Sequence, residues 1–217
     1  MIDSNFLKNS KFSVLNVSRE TLKELENYSN EIIHKNKKIN LISKSTEKLI
    51  KQRHILDSAQ TIDFINKKDI KNCTDLGSGA GLPGIVLSIL MKSKKPLFKL
   101  ILYEKSYHKS IFLDEMAKKF NLNTEIHRKN IFDQRNLITD VIISRAFKPL
   151  PTIFQIAKTN FKNFKYIILF LGKSGKKILN NALKFWKFDY EEKKSLTSTE
   201  SMIVKISNLK KKNNYGK

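Results

Sequence analysis

Asp75-Leu-Gly-Ser-Gly-Ala-Gly-Leu-Pro-Gly84 decides the reading of this chain. Four glycines stand in the eight residues from Gly77 to Gly84. Glycine reaches backbone angles barred to other residues and lets the main chain approach a ligand closely. Ordering so many of them carries an entropic cost that an idle turn does not offset. Before the loop a short strand ends at Asp75-Leu76, and behind it the apolar run Leu82–Met91 reads as a helix. Pro83 suits the first turn of that helix, where a missing N–H costs little. A helix so placed points its N-terminal N–H groups at any negative group in the loop. The strand itself, Lys71-Asn-Cys-Thr-Asp75, is polar, so its assignment rests on the loop that follows.

Outward from the loop the pattern is strand, turn and helix in alternation. Strands are predicted at Phe98–Tyr103, Thr124–His127, Val141–Ile143 and Tyr166–Leu171, with helices at Lys109–Phe120 and Thr152–Lys158. Ser174 is placed to cap a helix reaching Trp186, and Ser201–Ile206 reads as a closing strand. Such alternation gives an α/β fold, a mostly parallel sheet with helices on both faces, whose ligands sit at the carboxyl ends of the strands. Ahead of it Ser18 can cap a helix with Glu20 in its first turn and Leu22, Leu25, Tyr28 and Ile32 at helical spacing. A second helix is expected over roughly Thr46–Ile65 with Leu49, Leu56 and Ala59 inward. The division is an N-terminal helical extension over 1–66, a catalytic domain over 67–208 and a basic disordered tail over 209–217.

Two cofactors fit the loop. Gly79-Ala-Gly-Leu-Pro-Gly84 satisfies the dinucleotide pattern G-x-G-x-x-G, weak evidence alone. Asp75, Gly77, Gly79 and Gly81 satisfy the D/E-x-G-x-G-x-G pattern of enzymes that bind S-adenosylmethionine (SAM). A carboxylate at Asp75 would repel a pyrophosphate but could engage the ammonium of a methionine moiety. Glu104 ends the second strand, where a carboxylate accepts hydrogen bonds from both ribose hydroxyls of either cofactor.

The chain has 217 residues, enough for one α/β domain with a sizeable core, and 40% are apolar without any run long enough to span a membrane. A single cysteine, Cys73, excludes an internal disulfide and a multi-cysteine metal site. With no secretory signal visible at the start, a cytoplasmic protein is expected. The formal charge of +22 points to a polyanionic partner. Lysine outnumbers arginine 37 to 5, as an A/T-rich genome would favour, so the charge supports nucleic-acid binding only in part.

Four segments, Ile39-Asn-Leu-Ile-Ser43, Arg53-His-Ile-Leu-Asp-Ser58, Asp75–Gly84 and Ile143-Ser-Arg-Ala-Phe147, stand in a particular order and spacing. Through them the sequence resembles the bacterial small-subunit ribosomal RNA guanine-N7 methyltransferases, the glucose-inhibited division protein B family, over roughly residues 15–206. The resemblance implies a Rossmann-like, seven-stranded SAM-dependent methyltransferase fold behind an N-terminal helical segment. It places SAM contacts at Gly77, Leu82, Arg145 and the pair Lys129-Asn130, where the family usually has a small or apolar residue followed by Glu. It implies SAM as cofactor and 16S rRNA, the 30S subunit or an assembly intermediate as partner, with the chain a monomer.

Arg145 closes the fourth strand and could clamp a phosphate or orient the cofactor; the bland alternative is an ion pair with Asp140. Arg53 and Asp57 lie four apart on one helix, so a local ion pair competes with any role for Arg53 or His54 at the target base. Gly172-Lys-Ser174 looks like the end of a P-loop, but Ile167 stands where a glycine is required. Cys73 lies on a strand ahead of the loop, misplaced for pyrimidine-C5 methylation. Ser144-Arg-Ala-Phe147 replaces the Asn/Asp-Pro-Pro-Tyr/Phe motif common in exocyclic-amine methylation. Guanine N7 fits these absences, because it has no proton to lose and needs no general base. The expected activity is therefore N7 methylation of a guanine in 16S rRNA. The alternatives are a methyltransferase for another RNA or a small molecule, a non-catalytic ribosome-assembly factor, and an NAD oxidoreductase.

Overall fold

The computed structural model describes residues 16–212; the first fifteen residues and 213–217, the end of the basic tail, lie outside it. Helix α1 (Arg19–Asn36) begins where Ser18 Oγ accepts from the Thr21 N–H at 3.2 Å. Its apolar stripe of Leu25, Tyr28 and Ile32 is fully buried. The expected second helix is instead a broken one. It runs as a 3₁₀ turn (Lys44–Leu49), a π-helical turn (Lys51–Leu56) and two short α-turns, α2 (Asp57–Ala59) and α3 (Ile62–Ile65). The change of helical period moves Leu49 out to solvent, 43% exposed, and buries Ile50 in its stead.

The rest of the chain alternates as β1 (Asn72–Leu76), α4 (Gly84–Lys94), β2 (Lys99–Tyr103), α5 (Tyr107–Lys119) and β3 (Thr124–His127). After a 3₁₀ turn (Ile131–Asp133) come β4 (Leu137–Ile138), β5 (Val141–Ser144), α6 (Leu150–Asn160) and β6 (Phe161–Asn163). The chain ends with β7 (Tyr166–Leu171), α7 (Gly175–Ala182), β8 (Trp186–Lys194) and β9 (Met202–Lys211). Seven strands form one sheet in the order β3-β2-β1-β5-β7-β9-β8, and β4 pairs with β6 alongside it. Only β9 runs against the rest of the large sheet. The strand order reverses between β1 and β5, which is where a crevice opens at the carboxyl ends.

Alternating side chains feed two cores, one on each face. On β5, Val141 and Ile143 join one and Ile142 the other; on β7, Ile168 and Ile167 divide likewise. The first core also holds α1, the broken helix and α4. Helix α4 is buried from Gly84 to Met91 because the sheet covers one side and the N-terminal helices the other, as a helix apolar all round requires.

Three element expectations are corrected. The helix after β7 stops at Ala182, and Ser174 makes no side-chain cap. Trp186 opens β8, a strand the sequence reading lacked. The closing strand, expected at Ser201–Ile206, is longer. Strand β9 continues to Lys211, with Leu209 buried and Lys211 paired opposite Trp186. No helix among the described residues is long and apolar enough to cross a membrane.

Candidate active site

The glycine loop is braced from below. Gly77 and Ser78 donate their N–H groups to the Tyr103 carbonyl at 2.9 and 3.1 Å, and Gly79 donates to Glu104 Oε2 at 2.9 Å. Gly77, Gly79 and Gly81 all have positive φ. At Gly77 the requirement is also steric, since a Cβ would meet the Phe147 ring at 2.1 Å. Tyr28 of α1 donates from its hydroxyl to the Ala80 carbonyl, so the N-terminal extension holds the loop from its far side.

A cleft of about 560 Å³ opens above the loop. Among the expected binding residues, Gly77, Gly79, Leu82, Glu104, Lys129, Asn130 and Arg145 line it, and so does His54. Asp75 and Gly81 do not. Asp75 is 1% exposed, beneath the loop, with Oδ2 accepting from the Gly84 N–H at 3.0 Å. It pins the start of α4 and does not itself line the cleft. Burial raises its carboxyl to about 7, and nearby Glu104 pushes the same way, against the hydrogen bonds from Gly84 and Ser78. Glu104 is held by two backbone donors, Gly79 at Oε2 and Ser106 at Oε1 (2.8 Å). Its remaining lone pairs stay available at a fixed orientation.

The opposite wall comes from the turn after β5, where Ala146 is left-handed (φ 51°), at a cost of about 1 kcal/mol. That turn sets Phe147 against Gly77 and Arg145 against the broken helix. Arg145 pairs with Asp57 Oδ2 at 3.2 Å and donates to the Arg53 carbonyl at 2.5 Å. It also lies 5.5 Å over the Phe170 ring. Neither ion pair weighed from sequence exists. Asp140 sits at the other end of β5, about 16 Å of strand away, where it accepts from the Lys71 and Asn72 N–H groups. Arg53 does not reach Asp57, because the π turn bonds the Asp57 N–H to the Gln52 carbonyl. That register takes the i+4 neighbour off the shared face on which an α-helix would put it. Arg53 is exposed beside the cleft and does not line it.

Asp57 is fixed in turn through Oδ1, which accepts from Ser195, Thr197 and Gln60 at 2.9, 3.0 and 3.1 Å. His54 receives Arg145 on Nδ1 at 3.2 Å and meets Thr46 Oγ1 through Nε2 at 2.9 Å. A guanidinium can only donate, so the imidazole is neutral with its proton on Nε2, given to Thr46. Burial and the Arg145 and Arg53 charges lower its pKa to about 4. Sequence reasoning missed Leu41 and Ile42 of the cleft, whose N–H groups the Asn36 side chain holds at 2.7 and 3.0 Å. It also missed Phe132, Phe147 and Lys148, although Phe147 stands in a segment already singled out.

Three loop N–H groups committed to Tyr103 and Glu104 leave little of the open nest that a pyrophosphate needs, and two carboxylates stand nearby. The strand order, the braced glycine loop and the carboxylate after β2 define a Rossmann-like SAM-dependent methyltransferase fold. Solved structures agree at the level of the fold. The 16S rRNA methylase RmtB superposes with TM-score 0.53 at 10% identity, over 88% of this chain and 75% of that one. M. capricolum TrmK, in complex with S-adenosylhomocysteine, gives 0.50 at 15% identity over 74% and 71%. The family model described as rRNA small subunit methyltransferase G matches residues 21–206, and the chain belongs to that family. Its relative of that name from Pelagibacter ubique is 47% identical over 200 residues, 91% of this chain and 93% of the other.

Proposed function

We propose that the chain transfers the methyl group of SAM to N7 of a guanine in 16S rRNA, acting on the 30S subunit or its assembly intermediate. The observation that carries this reading is the cleft at the β1/β5 switch, which brings Gly77, Gly79 and Glu104 together with Arg145 and His54. Its volume suits a ligand of nucleoside size. Gly77, Gly79 and Leu82 would lie along the cofactor, and Glu104 would accept both ribose hydroxyls. Lys129 and Asn130 would face the adenine side. SAM supplies an electrophilic methyl group on a sulfonium.

The cleft's one imidazole is a poor base at neutral pH: His54 is held neutral with a pKa near 4, and Arg145 already occupies its Nδ1 lone pair. Guanine N7 presents a lone pair and loses no proton on methylation, so such a site needs only to orient the base. Arg145, fixed by Asp57 and the Arg53 carbonyl, is the cation placed to do that.

The test is methyl transfer from radiolabelled SAM to 30S subunits and 16S rRNA lacking the modification, followed by borohydride and aniline cleavage at N7-methylguanine. Cleavage at one guanine is expected. Label without cleavage overturns the N7 assignment, and tight SAM binding without label overturns the substrate.

A further inference from the structure

The outer rim of the cleft has a composition that the cofactor does not explain. Beyond Lys129 at the adenine side, Lys105, Lys109 and Lys148 line it, and Glu104 is the only carboxylate among the lining residues. None of these four lysines has an acidic partner among the described residues. At the amino edge of the same sheet two lysines are matched: Lys165 reaches Asp69 at 2.8 Å and Lys99 reaches Glu125 at 2.5 Å. Unpaired cations facing a cleft keep their charge for a ligand.

Aromatic rings stand between these cations. Phe132, on the 3₁₀ turn after β3, lines the mouth and is 38% exposed. Phe147 lies 6.3 Å from it, and Lys148 Nζ sits 5.9 and 6.0 Å from the two ring centroids. Outside the cleft lining, Tyr107 is 54% exposed at the start of α5, with Arg128 4.9 Å over its ring. An exposed ring between unpaired lysines is the arrangement that holds single-stranded nucleic acid, the rings taking base faces and the cations taking phosphates.

We propose that the mouth of this cleft is a single-stranded RNA subsite, in which Phe132 stacks an unpaired base and Lys148 takes a flanking phosphate. The proposal rests on the rRNA reading above and adds which face and which side chains receive the RNA. A base extruded from a stack loses its neighbours' π-faces, and Phe132 at the entrance replaces one of them.

Fluorescence anisotropy with a short fluorescein-labelled single-stranded RNA, and with the same strand in a duplex, tests it. The single strand should bind more tightly than the duplex. Phe132→Ala should weaken single-strand binding roughly tenfold, Phe132→Trp should retain it, and calorimetric SAM affinity should be unchanged in both. Lys148→Glu should flatten the dependence of log affinity on log salt by about 0.7. Lys68→Glu makes the same charge change at an exposed site ahead of β1 and should leave the slope unchanged. Wild-type affinity in Phe132→Ala, or an equal loss in Lys68→Glu, overturns the subsite in favour of diffuse charge attraction. Failure of the wild type to bind either the oligonucleotide or 16S rRNA, with SAM binding intact, overturns the rRNA reading and the subsite together.

Discussion

Gly77 shows how much one hydrogen in place of a Cβ decides. Its φ of 68° costs another residue about 1–2 kcal/mol, and the Phe147 ring occupies the space a Cβ would take. Gly77→Ala should therefore push Phe147 into the cleft and weaken SAM binding at least tenfold by calorimetry, with a melting temperature only a few degrees lower. Arg145 is the second such residue. Arg145→Ala should reduce methyl transfer far more than thermal stability, because its buried neighbours His54 and Asp57 keep other hydrogen bonds. Asp57→Asn should reproduce part of that loss while Arg145 remains, since it removes the charge that orients the guanidinium; unchanged turnover would remove Asp57 from the positioning of Arg145.

Half-buried His54 and buried Asp75 give stability opposite pH slopes. His54 has a folded pKa near 4 against an ordinary 6.5, so the unfolded chain takes up a proton that the folded one refuses. Its contribution is present above pH 6.5 and is lost as pH falls toward 4. Asp75, raised to about 7, keeps a proton in the fold that the unfolded chain has released. Its contribution is present at low pH and declines as pH rises from about 4 through 7. Melting temperatures across pH 4–8 should show His54→Gln flattening the acid limb and Asp75→Asn flattening the neutral one.

At the scale of elements, α1 is more than a cover. Its Tyr28 hydroxyl is the partner of the buried Ala80 carbonyl in the glycine loop. Tyr28→Phe leaves that carbonyl unpaired, which should cost about 1–3 kcal/mol in denaturant unfolding and lower SAM affinity, although the residue lies outside the cleft. The elements that residue order announced are those with a strong local signal. β3 and β7 begin and end where alternation and apolar runs place them, and Ser18 caps α1. β8 was missed because it is an edge strand carrying Lys187, Asp189, Glu191 and Glu192, charges that protect an unpaired edge and hide a strand. The alternation of Trp186, Phe188 and Tyr190 was the signal that could have found it. The 3₁₀ and π turns over 44–56 leave no comparable trace, because the helical period there is set by packing on α1.

In the whole molecule, β9 is the keystone of the far half of the sheet, the only strand paired to β8 and the one that joins it to β7. Val204, fully buried on β9, is a sharp probe of that role. Val204→Asp should cost more than about 4 kcal/mol and be seen as loss of cooperative unfolding; a native-like transition would show β9 to be dispensable. Residue order was sufficient for the alternating α/β layout, the glycine loop and the carboxylate after β2, because each depends on neighbouring residues obeying local backbone and hydrogen-bond chemistry. It could not give Arg145 its partners. Asp57 is released by a π turn and held by Ser195 and Thr197 from the loop between β8 and β9. Nor could it show that Asp75 lies under the loop or that Phe132 guards the cleft. Those arrangements join residues far apart in the chain, and only the packing of the helices and the closing hairpin on the sheet brings them within hydrogen-bonding distance.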